Sequence, residues 1–124
     1  MRTKDNTVEC VIHHTLTSFL FGIDLLYREW ESELIITSGS EPYARHSRTS
    51  LHYALPARAV DIRIWEVAQV PSPEIQAQAI CNARDIFCEE CGMPNDWIDI
   101  ILESDHIHIE FQPKRQEHYF QEGS

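Results

Sequence analysis

Positive charge is scarce in this sequence. Its 124 residues hold 10 Lys and Arg against 20 Asp and Glu, a formal net charge of -10. That balance excludes a general nucleic-acid binder, which needs a basic footprint on the phosphates. It also excludes simple electrostatic adhesion to an anionic membrane or cell wall. Long apolar runs are missing too. The longest, over residues 16–26, is interrupted by Thr17, Ser18 and Asp24, and a bilayer span needs about 20 consecutive apolar residues. Arg2 and Lys4 have no apolar stretch directly behind them and no small-residue cleavage site, so no secretion signal and a cytoplasmic location as synthesised are expected.

Cysteine is limited to Cys10, Cys81, Cys88 and Cys91. Without a secretory route, reduced thiols are the default. Cys88 and Cys91 form a lone C-x-x-C, a weak signal that would need two further ligands to hold a structural metal. The helical spacing from Cys81 to Cys88 favours apolar thiols on one helix face. Repeats, low-complexity tracts and internal linkers are absent. The length suits one domain over 1–124, with a core over about 9–113 and a polar, frayed tail over 114–124.

What is present is a readable order of elements. Val11, Ile12, Leu16, Phe19, Leu20, Ile23, Leu26, Tyr27 and Trp30 keep helical spacing, so a helix is expected over about 9–31. Glu33 to Thr37 reads as a short buried strand and Ala59 to Ile64 as an alternating one. Between them, residues 39–56 form a long polar loop with Pro42, of the kind that carries function in a small domain. Ser72 and Pro73 mark a helix start and Gly92 its stop near Cys91. Trp97 to Leu102 and His106 to Phe111 make a hairpin around Glu103, Ser104 and Asp105. The expected fold class is α+β, with two main helices packed on one face of a small, largely antiparallel sheet.

The chemistry concentrates in two places. His106 and His108 are two apart on a strand and share a face, while Ile107, Ile109 and Phe111 take the core side. Asp61 lies in an apolar strand, where an uncompensated carboxylate is costly, and His52 lies late in the polar loop. A metal ion or a firm hydrogen-bond partner would account for Asp61. Two imidazoles, a carboxylate and a water form an open zinc site. The alternative is a histidine pair on an exposed strand face, with Asp61 simply paired to Arg58 or Arg63. Spacing alone does not separate these readings.

Three segments together carry a resemblance: Ser50-Leu51-His52-Tyr53, Arg58-Ala59-Val60-Asp61-Ile62-Arg63 and Asp105-His106-Ile107-His108-Ile109-Glu110-Phe111. They resemble the LAS-type zinc peptidases, the group of D-alanyl-D-alanine carboxypeptidases and dipeptidases and of phage L-alanyl-D-glutamate endopeptidases. Their pattern is S-x-H-x-x-G-x-A-x-D followed by D/E-x-x-H or H-x-H. The resemblance covers about residues 34–111, including Ile36-Thr37-Ser38-Gly39 ahead of the loop. Asp61 follows His52 by nine positions, two more than in the family, and Ala54-Leu55-Pro56-Ala57 replaces the glycine turn. This reads as a bulged turn stiffened by Pro56.

The resemblance implies zinc as cofactor, with His52, Asp61 and His108 as its ligands. It makes Asp105 the general base, taking a proton from the attacking water and passing it to the leaving amine. His106 becomes a group bonded behind the ligands or a hydrogen-bond donor to the transition state, with zinc ligation the lesser alternative. Arg45 and Arg48 become candidates for substrate binding, with solvated loop charges as the other reading. The implied substrate is a peptide bond in peptidoglycan stem peptides, beside a D-amino acid, cut by a phage or prophage protein released to the wall or carried on the virion. No nucleic-acid or membrane partner is expected. Two other readings stay open: an inactive or structural module of the same fold, and a zinc hydrolase with a substrate outside the cell wall.

Overall fold

Alternation along two central strands decides which side of the sheet is core. In the computed structural model, which describes residues 1–8, 11–39 and 57–113, Ala59–Arg63 and His106–Phe111 pair antiparallel. Val60, Ile62, Ile107, Ile109 and Phe111 point into one apolar cluster, while Asp61, Arg63, His106, His108 and Glu110 are only partly buried. Numbered along the chain, the elements are β1 (Arg2–Thr3), α1 (His14–Glu29), β2 (Ile35–Ser38), β3 (Ala59–Arg63), α2 (Pro73–Cys91), a 3-10 turn (Asn95–Trp97), β4 (Ile98–Leu102) and β5 (His106–Phe111). The sheet order is β1-β2-β3-β5-β4. Among the described strands β1 and β2 run parallel and the other pairs antiparallel. This is the expected α+β arrangement.

Helix α1 buries Leu16, Phe19, Leu20, Ile23 and Tyr27, a stripe at i, i+3, i+4 spacing. Helix α2 adds Ile80 and Cys88 to the same cluster, and the Phe87 ring lies tilted against Phe19 of α1 with centroids 5.4 Å apart. The start of α1 differs from the sequence-based expectation. Val11 and His13 spend their backbone groups sideways: Ala57 N–H donates to Val11 O and His13 N–H donates to Ala57 O, both at 2.8 Å. His13 then caps the helix, its side chain accepting from the Thr15 N–H at 3.2 Å. A backbone already bonded to Ala57 cannot continue the helix toward the N-terminus. At the other end, Glu31 takes φ of 56° and turns the chain out of the helix. Helix α2 keeps its expected limits, with Ser72 Oγ capping the Ile75 N–H and Gly92 in the left-handed region at φ of 70°. Cys88 is buried, which pushes its thiol pKa up, while Cys81 is half-buried and Cys91 is exposed. The expected thiol face thus holds only in part, and Cys10 and the tail over 114–124 lie outside the described residues.

The first residues, outside the expected core of about 9–113, complete the sheet. Arg2 N–H and Lys4 N–H donate to Leu34 O and Ile36 O at 3.0 and 2.9 Å. The buried Asp24 of α1 draws these pieces together. One oxygen lies 3.0 Å from the Met1 amino nitrogen and accepts from the Leu34 N–H at 3.3 Å. The other accepts from Arg28 Nε at 3.1 Å. A second buried polar side chain, Gln76, closes the connection from β3 to α2. Its Nε2 donates to Trp65 O at 2.6 Å and Pro71 O at 2.8 Å, and its Oε1 accepts from the Trp65 N–H at 3.2 Å.

Two predictions follow from these polar groups. Burial works to raise the Asp24 pKa, but the amino group, the Leu34 N–H and Arg28 outweigh it and hold the carboxyl below its ordinary value. Its contribution is therefore full above the unfolded carboxyl value of about pH 4. It is lost as pH falls through the lower folded value. Asp24→Asn should cost about 3 kcal/mol at pH 7 and less at pH 3, measured by urea melts at both. Tyr27 is fully buried and its hydroxyl has no hydrogen-bond partner among the described residues. Tyr27→Phe should therefore leave stability unchanged or raise it by up to about 1 kcal/mol; a clear loss would reveal a partner for that hydroxyl.

Candidate metal centre

The centre of the polar sheet face is built by register. Asp61 of β3 lies directly opposite His108 of β5, Arg63 opposite His106, and Ala59 opposite Glu110. From the other side, β4 sets Asp99 opposite Glu110 and Ile101 opposite His108. Residues opposed across an antiparallel pair project to the same side, so β3 and β5 together place a carboxylate between two imidazoles. The neighbouring core residues Ile62 and Ile107 are fully buried, which holds both backbones in register beneath the site.

Distances give the cluster its shape. Asp61 Oδ1 is 2.7 Å from His108 Nδ1 and 3.5 Å from His106 Nε2. Asp61, His106 and His108 each offer a ligand atom within 4.8 Å of the others, and all three residues are partly buried. Behind each imidazole stands a carboxylate on the remaining ring nitrogen. Asp105 Oδ1 lies 2.6 Å from His106 Nδ1, and Glu110 Oε1 lies 2.8 Å from His108 Nε2. The hydrogen bond to Asp61 leads in raising the His108 pKa above the ordinary imidazole value; burial opposes it, and Glu110 adds to the rise.

Two of the expected zinc ligands, Asp61 and His108, thus meet in the structure. His52 lies outside the described residues, as do Arg45 and Arg48. His106 stands beside Asp61 and is placed to act either as a ligand or as a hydrogen-bonding group. Asp105 sits in the hairpin turn with its side chain 85% exposed, and the residue it engages is His106. Asp61 pairs with the histidines, while Arg63 lies over the Trp65 ring at 5.4 Å. Glu110 is the residue that sequence reasoning passed over. The signal was available, because two-residue periodicity puts it on the face of His106 and His108.

Chemically, two imidazoles and one carboxylate fit a borderline-soft divalent cation such as zinc and leave room in its coordination for water. The carboxylates behind the imidazoles match the outer shell that orients metal-ligating histidines. Comparison with protein-family models, curated proteins and solved structures found no match. The geometry predicts uptake of about one zinc per chain in purified protein. Asp61→Ala removes the group on which both imidazoles converge and should abolish that uptake while leaving the far-UV circular dichroism spectrum intact. Equal zinc content in wild type and variant by elemental analysis would sink the site.

Proposed function

We propose that this chain is a zinc-dependent hydrolase of peptide bonds, with Asp61 and His108 holding the ion. The observation that carries the reading is the convergence of Asp61 Oδ1, His108 Nδ1 and His106 Nε2 across β3 and β5. A bound zinc would supply Lewis-acid polarisation of a carbonyl and activation of a water near neutral pH. The resemblance over residues 50–63 and 105–111 supports a substrate in peptidoglycan stem peptides.

The chain's own groups divide the remaining work. With its Nδ1–H donating to Asp105, neutral His106 offers a lone pair at Nε2 toward Asp61. Protonated His106 offers an N–H there instead. The first state suits a third metal ligand and the second suits a donor to a developing oxyanion, the role the resemblance implies. Asp105 is spaced as the family's general base, and its bond to His106 routes its proton traffic through that imidazole. In the family's assignment His52 is the third ligand. The 3.5 Å approach of His106 to Asp61 favours a second assignment in which His106 takes that place.

Zinc content separates the two assignments. If His52 is the ligand, His52→Ala loses zinc and His106→Ala keeps it; if His106 is the ligand, the pattern reverses. Turnover on purified peptidoglycan and its stem peptides tests the activity. Asp105→Ala should retain zinc and lose about 10²- to 10⁴-fold in rate. Zinc-loaded wild type that cleaves none of these substrates would overturn the peptidoglycan assignment and leave a binding module or a hydrolase of another substrate.

A further inference from the structure

On the β5 face, Glu110 has a role that neither the motif nor the metal-capable trio assigns. Its Oε1 lies 2.8 Å from His108 Nε2, on the far side of the imidazole from Asp61. A carboxylate can only accept, so Nε2 must carry the proton in this bond. The nitrogen that faces Asp61 is Nδ1, 2.7 Å from Oδ1. That carboxylate also accepts, so without a cation both ring nitrogens donate, and a cation taken up at Nδ1 displaces that proton while Glu110 keeps the other on Nε2. An imidazole can rotate about its side-chain bonds and exchange tautomers. A second bond at the opposite nitrogen removes both freedoms.

Glu110 is itself well placed for this task. It lies on the same strand as His108, two residues on, so the rigid pleat sets their spacing. Its backbone is held on both sides, by Ala59 of β3 and Asp99 of β4. Its side chain is partly buried beside the imidazole, with 24% relative exposure, which limits competition by water for the bond.

We propose that Glu110 is the positioning residue of the metal centre, acting through His108 by holding Nε2–H so that Nδ1 is the donor atom. This rests on the zinc reading above and adds to it a residue that touches neither substrate nor ion. Partners of this kind are worth about 10- to 100-fold in metal affinity.

The test uses zinc alone, titrated into the full chain in competition with a chromophoric chelator. Glu110→Ala should weaken affinity about 10- to 100-fold. Glu110→Gln keeps an acceptor oxygen for Nε2–H and should stay within about threefold of wild type, far short of the loss in Ala. A long-range ¹⁵N–¹H spectrum of the His108 ring in zinc-loaded wild type should place the proton on Nε2, a readout that does not depend on any variant folding. Wild-type affinity in the Ala variant would overturn the role of Glu110 alone. So would a Gln variant as weak as Ala, or a ring proton on Nδ1. A wild type that takes up no zinc would overturn the metal reading itself, and the positioning role with it.

Discussion

The pairing of β3 with β5 is the constraint on which the rest depends. Strand side chains alternate, so a slip of one residue between these strands would carry Asp61 away from His108 and turn a core row outward. Ile62 opposite Ile107 and Val60 opposite Ile109 prevent the slip, because both pairs are fully buried under α1 and α2. The same four apolar residues that close the core also bring the polar ones together. Site geometry and core packing are two faces of one register.

The two carboxylates that matter most are handled differently. Asp24 is almost wholly buried and is met by an amino group, a backbone N–H and a guanidinium, which makes it a structural junction between the chain start, α1 and β2. Asp61 is less buried and is met by imidazoles, groups that can exchange a proton for a metal ion. Burial of an acid among apolar residues therefore has two solutions in one small protein, one on a helix and one on a strand. One partner set consists of fixed donors and the other of groups with changeable protonation.

The legibility of the sequence tracked how local each cause was. The strands β3 and β5 and helix α2 were readable because alternation, Ser72, Pro73 and Gly92 act within a few residues. The start of α1 was not, because its limit is set by Ala57, which lies far along the chain. Strand β1 was missed because its order depends on Leu34, Ile36 and Asp24 rather than on its own residues. At the site, Asp61 stood out as an acid among apolar neighbours, and His106 and His108 through their spacing. Glu110 was given no role, although the same two-residue spacing puts it on the face of His106 and His108.

The bond between His108 and Asp61 joins residues 47 positions apart. Closing a flexible chain over that span costs roughly 3 kcal/mol of entropy before any contact returns it. Helix α2 lies inside the span and its caps are local, so it can gain structure before the ends meet. The centre of the sheet cannot. A chain lacking β5 would keep Asp61 and lose the environment that gives it chemistry. The cluster of Asp61, His106 and His108 is accordingly a property of the closed topology, present only where β3 and β5 are paired.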